Sequence, residues 1–293
     1  MIYFWTTMKN KDFAIFILTH GRADNVITCK FLKDSNYTGK TYFIIDDEDP
    51  EQEKYIKNFG KDNVIIFSKE QIEKEFDIMD NFEDRRAVVY ARNKTFDIAR
   101  DLGLKYFMML DDDYSGVAYA FTKDFKFKHK PIKNIDKVLD GMIDFYKSTN
   151  IKSIAFAQAG DYIGGDNGFA YSITRLRKCM NTFLCSPDRP FKFVGRINED
   201  VNTYVLEAKH GSIFLTIPWV KIIQKQTQAN KGGLTDIYLN YGTYVKSFYT
   251  VMINPSSVRV AEMGSRFKRI HHRVEGNYTY PMIIRESIKN NGK

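Results

Sequence analysis

Tyr106-Phe107-Met108-Met109-Leu110-Asp111-Asp112-Asp113-Tyr114 is the stretch on which the fold turns. Its apolar run is too short for a helix and reads as a strand buried on both faces. It ends in three carboxylates. A central strand of an open α/β sheet carries ligands at its carboxyl edge, so the acids stand where a ligand binds. Side chains two apart in an extended chain point the same way, so Asp111 and Asp113 converge. Two carboxylates that close repel unless a cation lies between them or one takes a proton. Oxygen-only donors suit Mg²⁺ or Mn²⁺, which keep several waters and bridge to diphosphates. The stretch therefore reads as a metal–diphosphate site.

Working outward, the preceding residues alternate strand and helix. Phe13–Thr19 is a strand, followed by the turn His20-Gly21-Arg22 and a helix from Asn25. Thr41–Ile45 is a strand stopped by Asp46-Asp47, with a helix over Glu51–Phe59. Val64–Phe67 is a third strand, Lys69–Phe76 a short helix, and Asp84–Leu102 a long helix with Ala87, Val88, Ala91, Phe96 and Ala99 on one stripe. That alternation predicts an α/β fold: a mostly parallel, Rossmann-like sheet with helices on both faces. After Asp113 the pattern becomes mixed. Val117–Phe121 and Phe125–Lys128 form a β-ribbon, Ile132–Ser148 a helix and Ser153–Ala157 a buried strand. Gly160–Gly168 is a loop, and Ala170–Thr174 and Phe191–Val194 are strands. Asn198–Lys209 is a helix, Ile213–Ile217 a strand, Leu234–Phe248 one helix, and Val258–Ala261 and Phe267–Ile270 late strands. No linker or repeat divides the chain. It reads as a single domain over 1–293, with a nucleotide-binding half (1–115) and a smaller, mixed, acceptor-side half (116–293).

Composition narrows the partners. The 293 residues are 43% hydrophobic and 27% charged, which is globular rather than disordered. Lys and Arg number 44 against 36 Asp and Glu, a net charge of +8, with a pI near 9.1. That excess favours a polyanion or a phosphorylated substrate. Three cysteines, Cys29, Cys179 and Cys185, have neither even pairing nor metal-ligand spacing, which suits a reducing cytoplasm. The apolar run Phe13–Leu18 is too short to span a bilayer, and no membrane attachment is expected.

Other groups add chemistry. Thr19, His20 and Arg22 follow the first strand and stand at the ligand edge. Arg92 and Asn93 lie on the helix before the Asp-rich strand; a forked cation suits a diphosphate, and an amide suits a base edge or a sugar. Glu199 and Asp200 open a helix, where the dipole alone favours acids, yet either would serve as a general base toward a hydroxyl. His271 and His272 follow a basic run; a neutral imidazole completes a carboxylate-held metal site, and adjacent residues on a strand face opposite ways, so one of the two is expected to reach it. The amide-rich loop Gln224–Leu234 has the composition of a lid.

In this order, Thr19-His20-Gly21-Arg22, Asp46-Asp47, Ala91-Arg92-Asn93, Leu110-Asp111-Asp112-Asp113, Glu199-Asp200 and a late His, the chain resembles the GT-A glycosyltransferases. The His-Gly-Arg turn, the Ala-Arg-Asn helix and the Leu-Asp-Asp-Asp strand end make it most similar to the TET/JBP-associated glycosyltransferases of phages and related systems. The resemblance implies Mn²⁺ or Mg²⁺ on Asp111 and Asp113, with His271 or His272 as a late ligand. It implies a nucleotide-sugar, a UDP-sugar by preference, held by Asp46, Arg92, Asn93, Asp111 and Asp112, and Asp200 or its neighbour Glu199 as base. The implied acceptor is modified DNA, such as hydroxymethylcytosine in phage DNA, in a host cytoplasm. A glycan or lipid-linked acceptor, or a non-catalytic nucleic-acid-binding role on the same fold, are the alternatives.

Overall fold

The computed structural model describes residues 7–83, 85–163, 176–224, 234–242, 244–263 and 268–280. The first half alternates as expected: β1 Phe13–Leu18, α1 Ile27–Asp34, β2 Lys40–Asp46, α2 Gln52–Phe59, β3 Val64–Phe67, α3 Lys69–Glu73, α4 Val88–Asp101 and β4 Tyr106–Asp111. These strands lie parallel in the order β3-β2-β1-β4. Leu18 pairs with both Ile44 and Asp111, so the loops after β1, β2 and β4 share one edge.

The second half contributes β5 Tyr114–Phe121, β6 Phe127–Pro131, α5 Ile135–Lys147, β7 Ser153–Ala157, β8 Phe183–Cys185, α6 Glu199–Lys209 and β9 Phe214–Gln224. After these come α7 Thr235–Tyr241, α8 Tyr244–Ile253, β10 Val258–Met263, β11 Arg269–Val274 and α9 Gly276–Thr279. The sheet continues as β8-β7-β9-β5-β6, with β7 and β9 parallel and the other pairs antiparallel. The β10–β11 hairpin stands apart as a second sheet. Only Asp112 and Asp113 separate β4 from β5 in the chain, yet β8, β7 and β9 lie between them in the sheet. Chain continuity therefore curls the sheet around the acidic turn, and Asn181 Nδ2 closes the curl by donating to Gln224 Oε1 at 3.0 Å.

Strand alternation splits the core as a two-sided sheet requires. Phe13, Ile15 and Ile17, with Met108 and Leu110, meet Phe31, Tyr55, Leu139 and Ile143 from α1, α2 and α5. Ala14, Phe16 and Leu18, with Phe107 and Met109, meet Ile72, Val89, Phe96 and Val205 from α3, α4 and α6. Helices thus cover both faces, and the fold is α/β. Among the described residues no helix is long and apolar enough to cross a membrane.

Several expected elements change. Phe191–Val194 is not a strand; β8 instead takes the free side of β4. Phe191 and Phe193 alternate because they pack on Phe96 and Phe183, at ring separations of 5.1 and 4.9 Å, rather than because they join a ladder. The single helix expected over Leu234–Phe248 is two, broken at Gly242, whose φ of 84° no helix accommodates. The late strand begins at Arg269 and runs on to Val274, which brings both histidines into it. The long helix begins at Val88 rather than near residue 84. Residues 164–168 of the expected loop, the expected strand 170–174, the lid-like residues 225–233, and positions 84 and 266–267 lie outside the described residues.

Candidate active site

β4 runs out at Asp111, and Asp112 and Asp113 make the turn into β5. Thr28 of α1 clamps this turn. Its hydroxyl donates to the Asp111 carbonyl at 2.6 Å and accepts from the Tyr114 amide at 3.1 Å, and its own amide donates to the Asp112 carbonyl. The three carboxylates then part. Asp112 turns inward and accepts from the Thr19 hydroxyl at 2.7 Å and from Arg22 Nη1 at 2.8 Å. Asp111 accepts from Arg92 Nη2 at 3.3 Å and from the Tyr114 hydroxyl at 3.0 Å. Burial pushes the Asp111 carboxyl up to about 6; Arg92 opposes the rise and the charge of Asp113 adds to it.

The turn after β1 is held from several sides. Gly21 has a φ of 63°, which favours glycine, and its amide donates to Asp49 Oδ2 at 2.8 Å. The Arg22 amide donates to the Tyr55 hydroxyl, which also bonds Thr19 at 2.8 Å. His20 Nδ1 lies 2.8 Å from Asp46 Oδ2, and Lys69 Nζ lies 2.9 Å from Asp46 Oδ1. Burial would raise Asp46, but the His20 and Lys69 contacts outweigh it and hold the carboxyl at about 2. The hydrogen bond to Asp46 raises His20 in turn, against its own burial.

Arg92 lies fully buried, with its guanidinium carbon 4.7 Å from the Phe183 ring centre. Its Nε stands 3.3 Å from Glu199 Oε1, so one cation bridges the acids of β4 and α6. Nη1 has no hydrogen-bond partner among the described residues. Asn93 does something else: its amide donates to the Phe193 carbonyl at 2.9 Å and accepts from the Phe193 amide at 2.8 Å. It clasps a backbone segment and does not line the cleft.

Asn198 takes a left-handed conformation at the head of α6 and donates to the Lys246 carbonyl and the Thr250 hydroxyl. Glu199 and Asp200 follow in the first turn, both buried. Burial raises the Glu199 carboxyl, with Arg92 opposing and Asp200 adding to the shift. Asp200 Oδ1 accepts from the Val201 amide at 2.7 Å.

Adjacent strand residues were expected to face apart, but His271 and His272 both line the cleft, with ring centres 4.4 Å apart. They sit on a two-stranded ribbon, where strand twist is large. His271 Nδ1–H donates to the His272 carbonyl at 2.6 Å, which leaves Nε2 with its lone pair. Burial, then His271 and Lys246, push His272 down to about 3, so it too is neutral.

One cavity of about 450 Å³ collects these groups at the carboxyl edge of the parallel strands. It is lined by Thr19, His20, Arg22, Asp46, Arg92, Asp111, Asp112, Asp113, Glu199, Asp200, His271 and His272, which is every sequence candidate except Asn93. Lys69, Arg86, Tyr238 and Lys246 also line it and escaped the sequence reading. Lys69 carried a signal, since it stands just past β3 at the same edge; Lys246 lies on a helix with nothing to mark it. Among the described residues, no three His, Cys, Asp or Glu side chains are gathered to hold a metal ion by themselves. Asp111 and Asp113 both line the cavity and the charge of Asp113 acts on Asp111; one or two carboxylates, with water and phosphate oxygens, are the kind of donor set that Mg²⁺ or Mn²⁺ takes.

The family model described as TET-Associated Glycosyltransferase matches residues 13–233. The chain belongs to the TET-associated glycosyltransferases. It is a glycosyltransferase, and the match covers every candidate residue except His271 and His272. No curated protein sequence matches it. Solved structures similar in outline to this TET-associated glycosyltransferase include a putative nucleotide-diphospho-sugar transferase from Desulfovibrio desulfuricans G20, at 8% identity and a TM-score of 0.44, covering 84% of this chain and 95% of that one. Another is glucosyl-3-phosphoglycerate synthase from Mycobacterium tuberculosis with Mn²⁺, uridine diphosphate and glucosyl-3-phosphoglycerate, at 10% identity and 0.46, covering 90% of each chain. A third is mannosyl-3-phosphoglycerate synthase from Rubrobacter xylanophilus, at 8% and 0.43, covering 90% and 86%.

Proposed function

We propose that the chain transfers a sugar from a nucleotide-sugar, a UDP-sugar by preference, to a hydroxyl on modified DNA such as hydroxymethylcytosine. The observation that carries this reading is the single cavity in which Asp111 and Asp113 meet Arg92, Glu199, Asp200 and the two histidines. The turn 19–22 and Asp46 form the side of the cavity that receives the nucleoside. Asp111 and Asp113 would hold a divalent cation, with His271 or His272 as a further ligand, and the diphosphate would bind through that cation. A divalent cation there would neutralise charge building on the leaving diphosphate.

The protein's own groups supply the rest. Arg92 holds Asp111 and Glu199 in register and carries positive charge beneath the reacting centre. Asp200 is the proposed base, because Glu199 is already paired to Arg92 while Asp200 accepts a backbone amide and faces the cavity. The acceptor oxygen bonds to the anomeric carbon, its proton passes to Asp200, and the nucleoside diphosphate leaves with the electron pair of the broken bond. The TET association in the family's description and the net charge of +8 support a DNA acceptor. Three free cysteines, two of them buried, suit action in the cytoplasm.

The test has two stages. Thermal shift with uridine, guanosine and cytidine diphosphates, each with and without Mn²⁺, is expected to show a Mn²⁺-dependent rise with uridine diphosphate. Mass spectrometry of an oligonucleotide carrying hydroxymethylcytosine, incubated with UDP-sugars, is expected to show the gain of one sugar. No rise with any diphosphate would sink the donor site; transfer to glycans but not to DNA would sink the acceptor.

A further inference from the structure

Away from the cleft, the β9-β5-β6 end of the sheet carries a surface that the transfer chemistry does not use. Trp219 lies 5.5 Å from Phe121 and 5.1 Å from Phe125, ring centre to ring centre. Phe127 and Tyr162 extend the cluster, at 5.7 and 5.9 Å from Phe121. Phe125 is 57% exposed and Trp219 44% exposed, so the outer rings present broad faces to solvent. Lys123, Lys126, Lys128 and Lys130 lie on the same ribbon and its turn, all exposed, against the single acid Asp124. Four cations less one anion give this ribbon a net +3 of the chain's +8. Lys221 adds a charge 5.5 Å from the Tyr162 ring centre.

Lysines on an edge strand have a plainer use: they ward off pairing with other strands. That use accounts for Lys128 and Lys130 on β6. It does not account for a tryptophan and a phenylalanine that keep about half of their surface in solvent on the same ribbon end of the sheet, since exposed aromatic surface invites association. Aromatic faces set among phosphate-binding cations are what a single nucleic-acid strand needs, stacking bases on rings and lodging its backbone on lysines. The surface also has a path to the cleft. Gln158 lines the cavity, and the 3₁₀ turn Ala159–Tyr162 leads from it into the aromatic cluster. Four residues at about 2 Å each separate the two by about 8 Å, within reach of one or two nucleotides.

We propose that the β5–β6 ribbon with Trp219 is a docking surface for nucleic acid in single-stranded or unstacked form, which holds the polymer while one nucleotide enters the cleft. This deepens the proposed function and rests on its DNA acceptor.

The chain has two tryptophans, so Trp5→Phe leaves Trp219 as the sole reporter. Binding of a fluorescein-labelled single-stranded oligonucleotide is measured by anisotropy over a salt series, and Trp219 emission is followed with an unlabelled one. Binding that weakens steeply with salt, with Trp219 quenched, is expected. Lys128→Glu with Lys130→Glu is expected to weaken binding about tenfold or more, and Phe125→Ala to weaken it with little change in salt dependence. Diphosphate binding in the cleft is expected to be unchanged in both variants, which also reports that they are folded. Oligonucleotide binding that ignores these substitutions and leaves Trp219 emission unaltered overturns the surface but spares the DNA acceptor. Binding to vesicles of anionic phospholipid and not to the oligonucleotide overturns it in favour of a membrane. Oligonucleotide binding through the ribbon, without sugar transfer to hydroxymethylated DNA, upholds the surface and removes the acceptor reading.

Discussion

At the β3-β2-β1-β4 end of the sheet, polar groups at the ligand edge are tied down; at the β9-β5-β6 end, rings and lysines are exposed. Thr19, Asp46, Asp49 and Asp112 each hold a partner in a neighbouring loop, across separations of up to 93 residues. Phe125, Trp219 and the ribbon lysines face solvent. A small ligand of fixed shape is bound best by a site organised in advance. A long polymer that must slide and present one residue is served by an open, charged, stacking surface. If both proposals hold, one sheet carries two kinds of recognition, with the acidic turn and the head of α6 where they meet.

The largest expected effect lies at that meeting point. Asp111→Asn or Asp113→Asn should lower transfer by about a hundredfold or more while leaving thermal unfolding near that of the parent. Asp200→Asn should lose transfer yet keep diphosphate binding. Full transfer in both Asp111→Asn and Asp113→Asn would erase the distinction between the cleft and the rest of the sheet.

Next comes Arg92, which is buried between two acids. Arg92→Met should cost about 3 kcal/mol near neutral pH, because Asp111 and Glu199 lose their shared cation. The sign with pH follows from the raised carboxyls. A carboxyl whose folded value lies above its unfolded one favours folding at low pH and loses that contribution as pH rises through the folded value, about 6 for Asp111. The variant should therefore recover toward the parent as pH falls, in urea unfolding measured at several pH values. A cost independent of pH would mean that the acids are not what Arg92 supports.

Asn93→Ala should cost about 2 kcal/mol, because two buried hydrogen bonds to the Phe193 backbone are lost. Diphosphate affinity, measured by calorimetry, should hardly change. A large loss of affinity with no loss of stability would move Asn93 back among the donor contacts.

The smallest effect concerns His20 and Asp46. Contact with Asp46 raises His20, so its contribution is present at low pH and fades as pH rises through that raised value. Asp46, held at about 2, keeps its own contribution until pH falls toward that value. Between these limits both groups are charged. The Tm difference between the parent and His20→Asn should be larger at about pH 6 than at about pH 9; equal differences would show that the pair adds no stability to the turn after β1.

Much of the first half was legible because burial on both faces demands continuous apolar runs, which Phe13–Leu18 and Phe107–Leu110 display without any tertiary information. The acids at strand ends, the helices on two faces and the family followed from the same runs and the motifs between them. The break at Gly242 was harder, since one glycine in an otherwise helical pattern does not declare whether it is tolerated. Phe191–Val194 misled because alternation records burial and not ladder pairing, and the Phe96 and Phe183 rings supply the burial there.

The amino-acid sequence by itself determined the parallel half of the sheet, the carboxyl-edge acids and the excess of positive charge, since these depend on residue type and local spacing. Only the tertiary structure decided that Asp112 turns inward to Arg22, that Asn93 clasps Phe193, and that Arg92 joins Asp111 to Glu199. It alone brought both histidines to the cleft and Trp219 beside Phe125. These contacts join residues 90 to 107 positions apart in most cases, where local pattern carries no information and packing chooses the partner.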